Sequence, residues 1–200
     1  MQTSCKVKMA DSIHYIIHKP FGMLSQLTSN DPKEIKSKTF LSELYDFPQG
    51  IMPIGRLDEK SEGLLLLTTD GKLSDVINRS GIEKEYWVQL DGLINAEAIQ
   101  KLKEGVQIGL KGNFYITKPC EVHLLDLEPK THPAHPKLRI GRHRPTSWIS
   151  ICITEGKFRQ IRKMTATVGF PTQRLIRVRI GSIHLDDMVP GAVKEMIELI

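Results

Sequence analysis

The chain has 200 residues, of which 40% are hydrophobic and 26% charged, a composition typical of a globular protein with a buried core. It contains no apolar run of membrane-spanning length, and its start lacks the apolar segment of a secretory signal, so we expect a cytoplasmic protein. Its three cysteines are scattered and form no CxxC pair, which argues against a disulfide framework. Cys120 and His123, with three histidines downstream, do not follow a usual zinc spacing, so we expect no metal site.

The positive charge is concentrated in one part of the chain. The net charge is +5, but residues 137–179 contain 11 Lys or Arg and a single acid, Glu155. Such a local excess favours a polyanionic partner, although a solvated basic face would have the same composition.

The first 50 residues predict one strand and little else. Residues 1–11 are expected to form a loose leader, and residues 13–18 to form a strand that ends at the turn Lys19-Pro20-Phe21-Gly22. The polar segment 25–38 predicts a mobile loop, and a short helix is expected at about 40–45.

The next segment places an arginine and an aspartate between two apolar strands. Residues 51–54 and 64–68 predict the strands, and the second ends at the turn signal Asp70-Gly71. In extended chain, residues two apart point to the same side, so Arg56 and Asp58 should project together. A carboxylate held beside a guanidinium is a candidate nucleophile or base; the alternative is a turn-forming Asp with an ion-pair partner.

Between Asp70 and the basic region the pattern alternates between helices and strands. Helices are predicted at 72–79 and 96–103, and strands at 84–90, 114–117 and 120–125. The alternation in 84–90 places Tyr86 on the apolar face, near the strands that flank Asp58 if the sheet is continuous. A buried core tyrosine is the alternative interpretation.

The basic half of the chain predicts a loop, a strand, a helix and a further strand. Residues 128–146 should form an exposed insertion, either facing RNA or inert, and residues 148–154 a buried strand. A helix over 158–168 would place Arg159, Arg162 and Lys163 on one side, opposite its apolar stripe. A strand over 173–180 would place Arg177 and Arg179 together on one face, and residues 193–200 predict a short helix.

Several strings resemble the pseudouridine synthases of the RsuA and RluB/E/F type. They are KPFG at 19–22, GRLDEKSEGLLLLTTDG at 55–71, KEYWV at 84–88, EGKFRQIRKM at 155–164 and GFPTQRLIRVRIGSIHLDDMVPG at 169–191. The resemblance implies an α+β fold with a long mixed, mainly antiparallel sheet, flanking helices and a central cleft. It also implies a two-lobed catalytic domain over residues 12–200, with no room for the S4-like domain that many relatives carry ahead of it.

The resemblance assigns three catalytic residues and implies isomerisation of a uridine in 23S ribosomal RNA without metal or cofactor. Asp58 would act as nucleophile at the ribose or remove a ribose proton, Arg162 would keep Asp58 ionised, and Tyr86 would stack on the uracil. Arg56 would hold the RNA open, and the remaining candidate RNA contacts are Lys19, Lys157, Arg159, Lys163, Arg177 and Arg179. We expect a monomer that needs no protein partner. The competing hypotheses are a non-catalytic RNA-binding ribosome-assembly factor and a hydrolytic N-glycosidase.

Overall fold

One nine-stranded sheet runs through residues 12–142 and 144–199, the part of the chain that the computed structural model describes. The predicted leader at 1–11 lies outside these residues. In chain order the strands are β1 (His14–Lys19), β2 (Met52–Ile54), β3 (Glu62–Thr68), β4 (Lys84–Asp91), β5 (Gln107–Leu110), β6 (Asn113–Ile116), β7 (Glu121–Leu125), β8 (Thr146–Ile153), β9 (Thr172–Ile180), β10 (Ile183–His184) and β11 (Val193–Met196).

The sheet is mixed and mainly antiparallel, as the resemblance implied. Its main path is β11-β1-β3-β9-β4-β8-β7, with β2 added beside β3 and β10 beside β9, while β5 and β6 form a separate hairpin. Among the strand ladders of the described residues, only β3–β9 is parallel.

Strand β3 lies inside the sheet, between β1 and β9, and its apolar run is covered on both faces. Leu64, Leu65, Leu66 and Leu67 have no exposed surface. Leu64 and Leu66 pack in one hydrophobic cluster, and Leu65 and Leu67 in another, as alternation along a strand requires. The turn that precedes β3 is therefore anchored in the middle of the molecule, and this turn carries Asp58.

Four α-helices flank the sheet, and none in the described residues is both long and apolar enough to cross a bilayer. They are α1 (Pro32–Ser37), α2 (Gly71–Arg79), α3 (Ala96–Glu104) and α4 (Gln160–Thr167), with a short 3-10 turn at Leu41–Glu43. Helix α1 lies in the segment predicted to be a loop. Its N-cap Asp31 accepts a hydrogen bond from the Lys33 amide, but it buries no residue, so no apolar periodicity could indicate it.

The predicted helix at 193–200 is wrong, because residues 193–196 form the edge strand β11. This strand pairs antiparallel with β1, with Val193 opposite Ile17 and Met196 opposite His14. Its charged residues Lys194 and Glu195 are exposed, as is common on edge strands. Pairing with the backbone of β1 overrides the helical preference of the local sequence.

Candidate active site

Asp58 lies in the turn between β2 and β3, and side-chain and backbone hydrogen bonds fix this turn. The Leu57 amide donates to Ser25 Oγ at 2.9 Å, and Ser25 Oγ donates to the Leu57 carbonyl at 2.8 Å. The Ser61 amide donates to the Asp58 carbonyl at 3.0 Å. Because the backbone is held on both sides, the carboxylate, which is 25% exposed, is presented to solvent from a rigid support.

A glycine at the start of β3 brings this turn close to β9. Gly63 has φ +106°, and a Cβ atom there would lie 2.3 Å from the carbonyl oxygen of Arg177. Any side chain at residue 63 would therefore force β3 and β9 apart. Gly63 is therefore required for the close packing of β3 against β9, and this packing positions the turn that carries Asp58.

Two guanidinium groups lie beside the Asp58 carboxylate. Arg159 Nη1 is 3.3 Å and Arg162 Nε 3.8 Å from the same oxygen, Oδ2. Arg162 is the more buried, with 11% of its side chain exposed against 39% for Arg159. The sequence placed Arg162 at Asp58, and the structure brings the two residues together.

Arg162 is also tied to the turn that carries Asp58. Its Nη2 donates to the Lys60 carbonyl at 2.6 Å and to Ser61 Oγ at 3.2 Å. Its Nε is buried and has no hydrogen-bond partner among the described residues. Burial, together with the neighbouring charge of Arg159, lowers the pKa of Arg162, while Asp58 opposes this shift. An arginine remains charged despite such a shift, so Arg162 supplies a fixed cation beside Asp58.

The sequence did not predict the contact between Arg159 and Asp58, because Arg159 was expected to contact phosphates alone. The predicted helix began at 158, but α4 begins at Gln160, and Arg159 caps it with φ +53° and ψ +36°. The spacing of three residues between Arg159 and Arg162 was the available signal, because such residues are neighbours at a helix start.

Tyr86 lines the same cleft as Asp58. It is 8% exposed, and the cleft, about 100 Å³ in volume, also includes Arg56, Ser61 and Lys157. The guanidinium carbon of Arg177 lies 6.0 Å from the centre of the Tyr86 ring, at the limit for a cation–π contact. Asp58 and Tyr86 therefore line one opening, and Arg162 contacts the Asp58 carboxylate without lining the opening itself.

Lys19, predicted to contact RNA, is fully buried, so that prediction is corrected. Its ammonium donates to the carbonyls of Pro20 at 2.8 Å and Met23 at 2.7 Å, with the Glu59 carbonyl at 3.5 Å. Burial lowers the pKa of Lys19 to about 7. Lys19 thus joins the KPFG turn to the residue that follows Asp58.

Arg177 and Arg179 do not share a face, which corrects a second prediction. A bulge in the β4–β9 ladder pairs Glu85 with Arg179 but Tyr86 with Arg177, and neighbours in β4 point to opposite faces. Arg177 is 3% exposed and donates to the Leu64 carbonyl, so it cannot reach a phosphate on the surface. Arg179 binds the carboxylates of Glu83 and Glu85, away from Tyr86.

The other predicted RNA contacts lie around the cleft. Arg56 is exposed and lines its mouth, and Lys157 is exposed with its ammonium 5.0 Å from the ring centre of Tyr115. Lys163 donates to the Gly109 carbonyl at 2.7 Å, which connects α4 to β5. The exposed cations that line the cleft together with Asp58 are therefore Arg56, Lys157 and Arg159.

Comparison with known proteins places this chain in a family. Residues 13–167 match a family described as RNA pseudouridylate synthase. Ribosomal large subunit pseudouridine synthase E of Xanthomonas axonopodis pv. citri is 41% identical over 88% of this chain and 89% of that protein. The protein of the same name from Vibrio parahaemolyticus is 40% identical over 90% of this chain and 72% of that protein.

Solved structures agree with the sequence relatives. A crystal structure of a pseudouridylate synthase superimposes with a TM-score of 0.73 at 26% identity, covering 92% of this chain and 70% of that one. An H/ACA ribonucleoprotein bound to a substrate RNA superimposes with a TM-score of 0.55 at 16% identity over 89% of this chain and 50% of that one, which indicates a shared fold.

Proposed function

The chain belongs to the RNA pseudouridylate synthase family and is an RNA pseudouridine synthase, and we propose that it acts on a specific uridine of 23S ribosomal RNA through Asp58. The observation that carries the proposal is the Asp58 carboxylate in a cleft with Tyr86, its Oδ2 beside the guanidiniums of Arg159 and Arg162. The relatives named for large-subunit ribosomal RNA support the choice of substrate.

The reaction rearranges the bonds of one nucleotide without changing its composition. The bond between uracil N1 and ribose C1′ breaks, the base turns, and C5 bonds to C1′. The C5 proton is lost and N1 gains one, so electrons and atoms balance within the nucleotide and solvent. The protein needs to supply a nucleophile or base, a proton path and a site that retains the detached uracil.

Asp58 is placed to begin this sequence. Its Oδ2 is occupied by the two guanidiniums, which leaves Oδ1 to attack the ribose or to take a ribose proton. Arg162 supplies a cation beside this carboxylate, and the Lys60 carbonyl and Ser61 hold that cation in position. A small movement of Asp58 would give the buried Nε of Arg162 its hydrogen bond.

Tyr86 and the cations around the cleft would hold the nucleotide. A base inside a duplex cannot reach Asp58, so the uridine must be flipped out, and the ring of Tyr86 would then stack on the uracil. Tyr86 is also the candidate to help remove the C5 proton. Arg56 would occupy the space beside the flipped nucleotide, and Lys157, Arg159 and Lys163 would contact phosphates.

The catalytic unit in this proposal spans residues 12–200 and acts as a cytoplasmic monomer. Accessible cations surround the cleft, as binding to ribosomal RNA without a partner would require.

Product analysis tests the proposed function directly. Unmodified 23S ribosomal RNA is incubated with the protein, pseudouridines are mapped along it, and free uracil is measured in the same sample. We expect pseudouridine at one position and no free uracil. Free uracil with an abasic site would identify a hydrolytic glycosidase, and bound but unmodified RNA would identify a binding protein.

A further inference from the structure

A second cavity, of about 600 Å³, lies on the face of the sheet opposite Asp58. Trp87 lines it, and Trp87 and its neighbour Tyr86 in β4 point to opposite faces of the sheet. Ile176 and Val178 complete the apolar floor, and residues 130–132 and 184–188 form the two walls. Its volume is within the range of small-molecule sites, and the proposed reaction makes no use of it.

Buried ionic contacts fix one wall of this cavity. Arg174, 4% exposed, donates to both carboxylate oxygens of Glu62 at 3.0 and 2.9 Å. The same guanidinium donates to Thr131 Oγ1 at 3.1 Å and to the His132 carbonyl at 3.0 Å. The wall is therefore held to the core although it belongs to the irregular loop 128–146, so the cavity is formed in advance of any ligand.

A buried histidine in the cavity lining has an unused hydrogen-bonding atom. His18 is 4% exposed, and its Nδ1 lies 2.6 Å from the Met188 carbonyl, which can only accept, so Nδ1 carries the proton. Burial lowers the pKa of His18, which favours the neutral ring, and Nε2 is then an acceptor. This Nε2 has no partner among the described residues, and a buried acceptor without a donor is costly.

The lining as a whole matches a flat ring that carries N–H donors. Trp87 offers an aromatic surface, His18 Nε2 requires a donor, and the exposed carboxylates of Asp186 and Asp187 can accept further N–H groups at the rim. The ammonium of Lys130, also at the rim, can contact a phosphate. We propose that this cavity binds an unpaired purine, stacked on Trp87 and donating a hydrogen bond to His18.

The purine has two possible sources, and one of them depends on the proposed function. It is either a base of the RNA substrate outside the modified uridine or the base of a free purine nucleotide. In the first case the cavity would bind one base of the RNA on the face of the sheet opposite Asp58, while the uridine enters the Asp58 cleft. In the second it would respond to nucleotide concentration without RNA.

Ligand-observed NMR with AMP, GMP and UMP tests the binding itself. We expect AMP and GMP to bind at millimolar concentration, and UMP more weakly. Trp87→Leu should weaken purine binding by about 5- to 150-fold, the range for loss of one stacked base. Asp187→Trp, at an exposed position, should block the mouth without entering the core, and it replaces Trp87→Leu if that variant does not fold. The matched control is Asp58→Asn, which should bind AMP as the unsubstituted protein does.

The affinity for a 23S RNA fragment separates the two sources. If Trp87→Leu weakens binding of both AMP and the fragment, the purine belongs to the RNA. If it weakens binding of AMP alone, the ligand is a free nucleotide, and the proposal still holds. Absence of AMP and GMP binding at millimolar concentration, or binding lost in Asp58→Asn but kept in Trp87→Leu, would overturn it. None of these results depends on catalysis, so failure of the purine proposal can be distinguished from failure of the proposed function.

Discussion

Replacing Arg162 by methionine removes the buried cation beside Asp58 while keeping a long side chain in place. The guanidinium donates to the Lys60 carbonyl at 2.6 Å and to Ser61 Oγ at 3.2 Å, and its Nε lies 3.8 Å from Asp58 Oδ2. Arg162→Met therefore loses one strong charge-assisted hydrogen bond, one weaker bond and an ion pair with a partly exposed carboxylate. We expect the free energy of unfolding to fall by about 2–4 kcal/mol, since hydrogen bonds to charged groups contribute roughly 1.5–3 kcal/mol each.

The loss of activity should exceed what this destabilisation explains. Without Arg162 the turn that carries Asp58 loses its contact with α4, and a displacement of about 1 Å at the reacting group can cost roughly 10²-fold in rate. We therefore expect kcat to fall at least about 10²-fold at a temperature where the variant is folded, with KM for RNA changed little. Arg162→Lys keeps the charge but cannot form the fork of hydrogen bonds, so it should recover stability only in part.

The assay combines urea unfolding with single-turnover pseudouridine formation. Lys163→Met is the matched control, because Lys163 is the next residue of α4 and its ammonium contacts Gly109 rather than the Asp58 turn. This control should retain its chemical rate. A folded Arg162→Met protein with a rate close to that of the unsubstituted enzyme would refute the assigned role of Arg162.

Three further predictions concern the sheet, the KPFG turn and the cleft mouth. Arg174→Met should lower the free energy of unfolding by about 3–5 kcal/mol because it leaves Glu62 buried without its partner, and the double variant with Glu62→Leu should recover much of that loss in urea unfolding. Lys19 has a folded pKa of about 7, below its unfolded value, so the unfolded chain binds the extra proton above pH 7. Stability should therefore rise with pH between 7 and 10, by up to about 1.4 kcal/mol per unit relative to Lys19→Met, as measured by unfolding across that range. Arg159→Ala should weaken RNA binding and reduce the slope of log K against log salt by about 0.7–0.9.

An exposed ion pair provides the control for the buried one, and the other two predictions are judged on the substituted proteins themselves. Arg79 forms an ion pair with Asp75 in which the side chains are 79% and 58% exposed, so Arg79→Met should change stability by less than about 1 kcal/mol. If Arg174→Met costs no more than Arg79→Met, the buried pair does not stabilise the fold as argued. If the free energy of unfolding of Lys19→Met still rises between pH 7 and 10, groups other than Lys19 cause the rise. A salt slope unchanged in Arg159→Ala would remove that residue from the phosphate contacts.

The sequence predicted most of the sheet because its strands carry strong periodic or continuous apolar patterns. The run Leu64–Leu67 indicated a strand buried on both faces, and β3 is such a strand. The helix at α1 and the strand β11 escaped prediction for a common reason: neither buries an apolar stripe of its own. Helix α1 depends on its cap at Asp31, and β11 on pairing with β1, a contact distant in sequence.

The sequence predicted the site residues that belong to recognisable motifs. It did not predict the side chains whose direction depends on an irregular backbone conformation. Asp58, Tyr86 and Arg162 come together as their motifs implied. The left-handed backbone at Arg159 and the bulge next to Arg177 in β9 have no local signature in a single sequence. The burial of Lys19 was also hidden, because its partners are backbone carbonyls, which any residue supplies.

The central claim is that the ionised carboxylate of Asp58 performs the reaction, and Asp58→Asn tests it most directly. Asparagine keeps the shape of the side chain but removes its charge, so the turn held by Ser25 and Ser61 should remain intact. Pseudouridine formation in a 23S RNA fragment and the affinity for that fragment are measured on the same protein. The proposed mechanism predicts no detectable pseudouridine with RNA affinity close to that of the unsubstituted protein. Substantial pseudouridine formation by Asp58→Asn would contradict it.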